Sequence, residues 1–141
     1  MADIPFPFEI VIEGTPISLQ GSSSSKARWQ NEVSGRTRVR LNDVIEWYYL
    51  DERPVAVTIF YFPIATMNGD LDNIVKPILD GLKAVAYPDD SVVERILVQK
   101  FEPGIPRSFR ITSAQLGKAL DAPPPVVYIR LDDDLSWRQL P

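Results

Sequence analysis

The chain has 141 residues, a formal net charge of −4, and neither histidine nor cysteine. These absences exclude imidazole bases, thiolate nucleophiles, zinc fingers and disulfides, which leaves carboxylates, lysine, tyrosine, hydroxyls and metal-activated water, with Mg²⁺ or Mn²⁺ suited to oxygen ligands. The acidic balance also argues against a general nucleic-acid coat protein, because lysine and arginine supply most non-specific affinity for phosphate.

The length and hydrophobic content predict a single domain. The chain is 45% hydrophobic, which is ample for a packed core at this size. There is no apolar run of about 18 residues and no charged-then-apolar leader, so neither a membrane span nor a secretion signal is expected. We therefore expect a cytoplasmic protein whose domain covers residues 1–131, followed by an acidic tail at 132–141.

The first predicted elements are a strand and a helix. Alternating side chains between residues 7 and 13 are typical of a half-buried strand. A serine-rich loop follows, in which Ser24 or Ser25 could cap a helix. This helix could extend as far as Trp47, and we expect Gly35 to interrupt it.

The second strand leads into the second helix. Residues 54–62 are apolar on both faces, so this strand should lie centrally in the sheet. After a turn-rich loop, apolar residues recur at intervals of four, four and three, which predicts a helix facing a core: Ile74, Ile78, Leu82 and Val85. Asp70 or Asp72 can cap this helix, and Pro77 either begins its regular part or bends its first turn.

The last elements complete an alternating order. A third strand is predicted at 92–101, a short helix capped by Thr112 or Ser113, and a final strand at 126–131. The order β-α-β-α-β-α-β favours an α+β fold, or a closely related α/β fold, in which helices pack on a mixed sheet. Strand order and the parallel pairs stay open.

Oxygen ligands and one ammonium collect along the second helix. Asp70 and Asp72 must lie near one another, and two carboxylates at about 4 Å repel by roughly 4 kcal/mol at an effective dielectric of about 20. Asp90 would add to this repulsion if the fold returns it to the same place, and a divalent cation would relieve it. Lys76 lies four residues after Asp72, so its ammonium could cover the same site and meet a scissile phosphate.

Each of these features also has an ordinary explanation. Aspartate before a helix is a common cap, Asp89-Asp90 is typical of a solvated turn, and Lys76 could simply pair with a carboxylate on its own helix. Asp80, one turn further along, is a candidate partner for Lys76, and Asn73 could orient a ligand. The combination of all these residues at this spacing is what indicates a site.

Charge is distributed unevenly along the chain. Between residues 26 and 40 five cations accompany one Glu32, and they are Lys26, Arg28, Arg36, Arg38 and Arg40. We predict that this segment contacts DNA, the alternative being a solvated helix face. The acidic C-terminal tail, with Asp132-Asp133-Asp134 before Trp137, could dock on a basic partner, screen an empty DNA site or be disordered.

Three short motifs together resemble a known family signature. Asp-Leu-Asp-Asn, two residues and Lys occupy 70–76, Leu-Asp-Gly-Leu occupies 79–82, and Tyr-Pro-Asp-Asp-Ser-Val-Val occupies 87–93. This pattern resembles that of the RusA family of Holliday junction resolvases and related endodeoxyribonucleases. The resemblance spans about residues 69–100.

The resemblance implies a site and an assembly. Asp70, Asp72 and Asp90 would be the metal-binding and catalytic carboxylates, Lys76 would be catalytic or contact phosphate, and Asp89 is the weaker candidate of its pair. Family members act as homodimers that make paired nicks in four-way DNA junctions with Mg²⁺. A homodimer also suits the approximate two-fold symmetry of such a junction.

We therefore expect a Mg²⁺-dependent, structure-specific DNA endonuclease, a hydrolase of the crossover-junction type acting in recombination and repair, encoded by a bacterium or phage. One departure is that the loop 63–69 contains no lysine or arginine. Two alternatives are a non-catalytic DNA-binding or interaction module with a structural metal ion, and a Mg²⁺-dependent hydrolase of small phosphate esters.

Overall fold

The structure is a computed structural model that describes residues 3–17, 21–50, 52–67, 69–110, 112–134 and 136. Its elements are β1 (Phe8–Glu13), α1 (Ser23–Val44), β2 (Val55–Phe62), α2 (Asp72–Leu82), β3 (Val93–Lys100), α3 (Ala114–Asp121) and β4 (Val126–Asp132). This alternation confirms the predicted order. A single 3₁₀ turn, Asp90–Val92, precedes β3. No helix in the described ranges is both long and apolar enough to cross a membrane.

The strands form one mixed sheet in the order β1-β4-β2-β3. β4 runs antiparallel to both of its neighbours, whereas β2 and β3 are parallel. A parallel pair needs a crossover connection, and α2 provides it. The α+β class and the interior position of β2 are therefore as predicted.

Helices cover both faces of the sheet. Alternate β2 residues point to opposite sides: Ile59 joins the larger core with α1 and α2, and Phe62 joins a smaller core with α3. The carboxylate of Glu9, buried on β1, accepts hydrogen bonds from the hydroxyls of Ser113 and Tyr128. Because Ser113 is also the N-cap of α3, this network ties α3 to the sheet. The predicted cap at Ser113 is thus confirmed.

The first helix differs from its prediction in two ways. α1 runs without interruption through Gly35, and its N-cap is Ser22 rather than Ser24 or Ser25. It ends at Val44, before Trp47. Glycine costs a helix about 1 kcal/mol, and burial along one face outweighs this cost, because four residues spaced by four are buried: Trp29, Val33, Thr37 and Leu41.

The predicted cap of α2 is wrong. Leu71 occupies the N-cap position without a side-chain cap bond, and Asp72 is already the first helical residue. The start is closed instead by backbone bonds of 3.2 Å, one of them from Asn73 N–H to the carbonyl of Asp70. Pro77 therefore lies inside the helix, in its buried face, and does not begin it.

A close approach fixes α2 against α1. A Cβ atom on Gly81 would lie 2.6 Å from Cβ of Val33, so only glycine fits there without movement. Next to this contact, the hydroxyl of Ser34 donates a 2.6 Å hydrogen bond to the Gly81 carbonyl. The helix with the predicted site residues is thus held directly on the helix with the basic residues.

The C-terminal end is partly described. β4 includes Asp132, one residue beyond the predicted strand, and this side chain is buried and accepts a 2.9 Å hydrogen bond from Arg130. Trp137 of the predicted acidic tail lies outside the described residues.

Candidate active site

One ammonium group joins α2 to the segment before β3. Lys76 Nζ lies 2.7 Å from Oδ1 of Asp80 and 2.8 Å from Oδ2 of Asp90. The first contact follows from α-helical spacing, because residues four apart lie on the same face. The second is a long-range contact that only the fold creates. The predicted pairing of Lys76 with Asp80 is confirmed.

These contacts define what Lys76 can do. The hydrogen bond to Asp80, followed by that to Asp90, raises the pKa of the Lys76 ammonium. Lys76 therefore stays charged at neutral pH in this arrangement. Its side chain is 49% exposed, so it can still donate a hydrogen bond to a ligand that arrives from solvent.

Tyr87 also contacts Asp90, although it was not among the predicted site residues. Its ring is fully buried, and its hydroxyl lies 3.3 Å from Oδ1 of Asp90 and 3.3 Å from the Leu79 carbonyl. Burial, and then the charge of Asp90, raises the pKa of the Tyr87 phenol, so it is a neutral donor. Asp90 is thus held through both oxygens. The sequence signal was the position of Tyr87, three residues before Asp90 in the Tyr-Pro-Asp-Asp motif.

Asp70 and Asp72 present exposed carboxylates where α2 begins. Neither side chain makes a hydrogen bond or ion pair with any residue that the structure describes. Asp72 lies in the first turn of α2, where the helix dipole favours negative charge. Both carboxylates are therefore free to meet a cation or a donor on a substrate.

The acidic residues on and near α2 do not form one group. Within the described ranges, no group of three or more acidic side chains is close enough to hold a metal ion. The reason is topological, because the parallel register pairs Val55 at the start of β2 with Val93 at the start of β3. Asp70 follows the end of β2 and Asp90 precedes β3, so the two approach from opposite ends of the strand pair. A shared metal site for all three aspartates stays a prediction.

Asp89 has a structural role in the turn. Its side chain caps the 3₁₀ turn by accepting from Ser91 N–H at 3.3 Å, and it pairs with Lys83 at 3.3 Å. The contacts with Ser91, and then that with Lys83, lower the pKa of the Asp89 carboxyl.

A comparison with known families identifies the chain. The model of the family described as endodeoxyribonuclease RusA matches residues 22–109. This chain belongs to the RusA family. The match covers more than half of the chain and contains every predicted site residue, which confirms the resemblance seen in the sequence. No curated protein and no solved structure matches the chain.

Membership in the RusA family establishes the chemistry broadly. The chain is an endodeoxyribonuclease, and hence a hydrolase, of a family that acts on branched DNA. The carboxylates of Asp70, Asp72 and Asp90 suit a hard divalent cation by donor type, since they offer only oxygen. The first two have no described partner for a cation to displace, whereas Asp90 already contacts Lys76.

The basic residues predicted to contact DNA all lie on α1, but they differ in their surroundings. Arg40 donates a 3.0 Å hydrogen bond to the backbone carbonyl of Glu9, and Arg36 pairs with Glu32 at 3.0 Å. Arg28 and Arg38 are exposed, and Lys26 is half-buried. In this RusA family member, Arg28 and Arg38 therefore keep the most accessible charge for phosphate.

Proposed function

We propose that this chain is a Mg²⁺-dependent endonuclease that resolves Holliday junctions by paired nicks, in recombination and repair of DNA in the cytoplasm. The observation that carries the proposal is the Lys76 ammonium, held between Asp80 and Asp90 on the helix that begins with the unpaired carboxylates of Asp70 and Asp72. Phosphodiester hydrolysis uses a positively charged group that contacts the phosphate and carboxylates that bind a metal ion, and these residues supply both.

Charge balance explains why a divalent ion is needed. The carboxylates of Asp70, Asp72, Asp80 and Asp90 outnumber the ammonium of Lys76, which contacts two of them. A phosphodiester would be repelled from such a site unless a cation neutralised part of the charge. We propose that Asp70, Asp72 and Asp90 hold Mg²⁺, or Mn²⁺ in its place, which requires the three carboxylates to come closer together than they lie in this structure. When bound, the ion supplies acidic water and stabilises negative charge on the phosphate.

The chain's own residues orient the substrate. Lys76 donates to a non-bridging phosphate oxygen and stabilises the charge that develops there. Asp80 keeps the Lys76 ammonium pointed along the exposed side of α2, while Tyr87 fixes the Asp90 carboxylate by donating to its other oxygen. Arg28 and Arg38, with Lys26, Arg36 and Arg40 as further candidates, attract the flanking phosphates.

Resolution of a junction calls for two sites, so we also propose a homodimer. β3 is an edge strand, and its Ile96 and Leu97 side chains are 42% and 46% exposed. Monomeric proteins usually protect such edges, so this edge is our candidate surface for a second copy of the chain. Leu97→Lys should give a monomer by analytical ultracentrifugation, whereas Ile105→Lys, at another exposed apolar residue, should not. A monomeric wild-type protein at micromolar concentration would contradict the assembly.

The test of the activity is cleavage of labelled four-way junction, flap and linear duplex DNA with Mg²⁺ or EDTA. Wild type should make paired, Mg²⁺-dependent nicks in the junction, and Asp72→Asn should lose them while still binding DNA. Because Asp72 has no described partner, this variant should keep its fold, which circular dichroism would verify. Asp121→Asn on α3 is the matched control, since it removes the same charge from an exposed position on another helix.

Other outcomes would favour other functions. Binding of junctions without any cleavage by wild type would favour a non-catalytic module with a structural ion. Turnover of small phosphate esters that is insensitive to salt, without DNA cleavage, would favour a phosphoesterase, because binding to the DNA polymer weakens steeply with ionic strength.

A further inference from the structure

An open pocket of about 450 Å³ lies beside Asp70. Three segments form its walls: the turn after β1, the end of β2 with the loop that follows, and the first turns of α2. The residues that matter for its chemistry are Thr15, Tyr61, Ile64, Asp70, Asn73 and Ile74. We propose that this pocket receives one nucleobase, unstacked from the DNA strand next to the scissile phosphate. The inference rests on the proposed function, because it places the substrate of that same site.

The lining suits a neutral planar group with a polar edge. Ile64 and Ile74 offer apolar surface, while Thr15, Tyr61 and Asn73 offer hydroxyl and amide groups. Enzymes that hold an extruded base combine apolar contact with its faces and hydrogen bonds to its edge. An asparagine amide supplies both donors and an acceptor, so Asn73 can read a base edge.

The charge of the pocket argues for a base rather than a phosphate. Its described lining contains the carboxylate of Asp70 and no lysine or arginine. Apart from the Mg²⁺ that we place at Asp70, the described lining of the pocket would offer a phosphate no cation. The loop 63–69 contains no lysine or arginine, which is unexpected for a surface that binds phosphates. This absence is consistent with a surface that contacts a base.

The wall of the pocket is held in place by the end of β3. Met67 N–H lies 3.2 and 3.1 Å from the two carboxylate oxygens of Glu102, which also pairs with Lys100 at 2.7 Å. The next anchor is the Phe101 N–H, which donates a 2.8 Å hydrogen bond to the Tyr61 carbonyl. These bonds join the loop after β2 to the residues that follow β3, so the pocket is formed before DNA arrives.

The pocket and Lys76 are connected by the first turns of α2. Asn73 lines the pocket and Lys76 lies three residues further along α2, which is about 4.5 Å of helix rise. We therefore place the base near Asn73 and the phosphate attached to its sugar near Lys76. Unstacking costs least where bases are not fully paired, so the pocket favours cleavage at the crossover of a junction.

Fluorescence of 2-aminopurine, which rises when the base leaves the stack, tests the proposal without cleavage. We would place the probe at either nucleotide flanking the scissile phosphate of a junction and bind it to Asp72→Asn. Fluorescence should rise at one of the two positions on binding. The rise should be lost when Ala65→Leu, which narrows the pocket, is added, but kept with Ala114→Leu on α3 as the matched control.

Cleavage of junctions with each base at that position provides the second measurement. Tyr61→Phe and Thr15→Val each remove one hydroxyl and keep the shape of the side chain, so each should reduce discrimination among bases by up to about tenfold. Discrimination unchanged in both variants would overturn the role of these hydroxyls in the pocket.

The outcomes separate this inference from the proposed function. Junction binding and cleavage with no fluorescence change at either position would overturn the base pocket alone. If wild type does not cleave junctions at all, the proposed function is overturned, whatever the 2-aminopurine fluorescence shows. A fluorescence rise that persists in Ala65→Leu would show that the base unstacks elsewhere.

Discussion

Lys76 Nζ lies 2.8 Å from Oδ2 of Asp90, although the two residues are 14 positions apart in the chain. This contact connects the middle of α2 with the turn that precedes β3. It gives the RusA-family motif a physical meaning, because the lysine of the first motif and the aspartate of the last belong to one cluster. Asp80 supplies the second carboxylate of that cluster.

Replacing Lys76 by methionine should slow cleavage by roughly a hundredfold or more, because a preorganised donor to the transition state is lost. Junction affinity should change little, since we expect the five basic residues of α1 to make most of the phosphate contacts. The free energy of unfolding should change by less than about 1 kcal/mol, because both ion pairs are partly exposed to solvent. Single-turnover cleavage and urea denaturation would measure these effects. Lys118→Met, an exposed lysine on α3, is the control, and equal losses in both variants would contradict a catalytic role.

Arg38 tests the DNA contact of α1. Its side chain is exposed, and we expect Arg38→Gln to weaken junction binding for all sequences alike. The slope of the logarithm of the binding constant against the logarithm of salt concentration should fall by about 1. Fluorescence anisotropy across a salt series would measure it. Arg110→Gln removes an exposed charge outside α1, and an equal change in its slope would argue against a specific contact.

Glu102 should make the stability of the protein depend on pH in the acidic range. Contact with Lys100, and then the bond from Met67 N–H, lowers the pKa of the Glu102 carboxyl below its ordinary value of 4.5. When the pKa of a carboxyl is lower in the folded state than in the unfolded state, the carboxylate stabilises the protein at any pH above the unfolded-state pKa. This stabilisation is lost as the pH falls through the folded-state pKa. The melting temperature of wild type should therefore be higher than that of Glu102→Gln at pH 7, and the difference between the two melting temperatures should shrink below about pH 4.5. A difference that is constant from pH 7 to pH 3 would contradict this assignment.

Two glycines in helices should respond in opposite directions to alanine. Gly81→Ala would bring a Cβ atom within 2.6 Å of Val33 and should destabilise the protein by about 1–3 kcal/mol through overpacking. Gly35→Ala meets no atom within 4 Å and should stabilise α1 by up to about 1 kcal/mol. Thermal or urea unfolding of both variants would measure the pair. A neutral Gly81→Ala would mean that α1 and α2 can separate without cost.

Local pattern was sufficient to predict most elements, and its failures have physical causes. The interruption of α1 at Gly35 was expected from intrinsic propensity, which tertiary burial of residues such as Val33 and Leu41 overrides. Local composition predicts an aspartate cap for α2, whereas backbone hydrogen bonds close that end of the helix. In both places long-range packing or backbone geometry prevailed over a preference of single residues.

The sequence predicted which residues belong to the site better than it predicted how they are arranged in space. Spacing alone indicated that Lys76 and Asp80 would meet, because both lie on one helix. The position of Asp90 depends on the parallel pairing of β2 with β3, and the alternating order of elements leaves strand direction open. The contact of Tyr87 with Asp90 could not be predicted, because the sequence of a turn motif does not show which acceptor a tyrosine hydroxyl will reach.

The contact between Gly81 and Val33 has a consequence for where DNA is cut. It leaves no room for a side chain at residue 81, and we expect this close packing to hold the arginines of α1 and the acidic residues of α2 in one fixed arrangement. A phosphate held by Arg28 or Arg38 is then at a constant distance from the phosphate that meets Lys76. The number of nucleotides between the phosphate bound by α1 and the cleaved phosphodiester should therefore be constant, and it should be the same on junctions of different sequence.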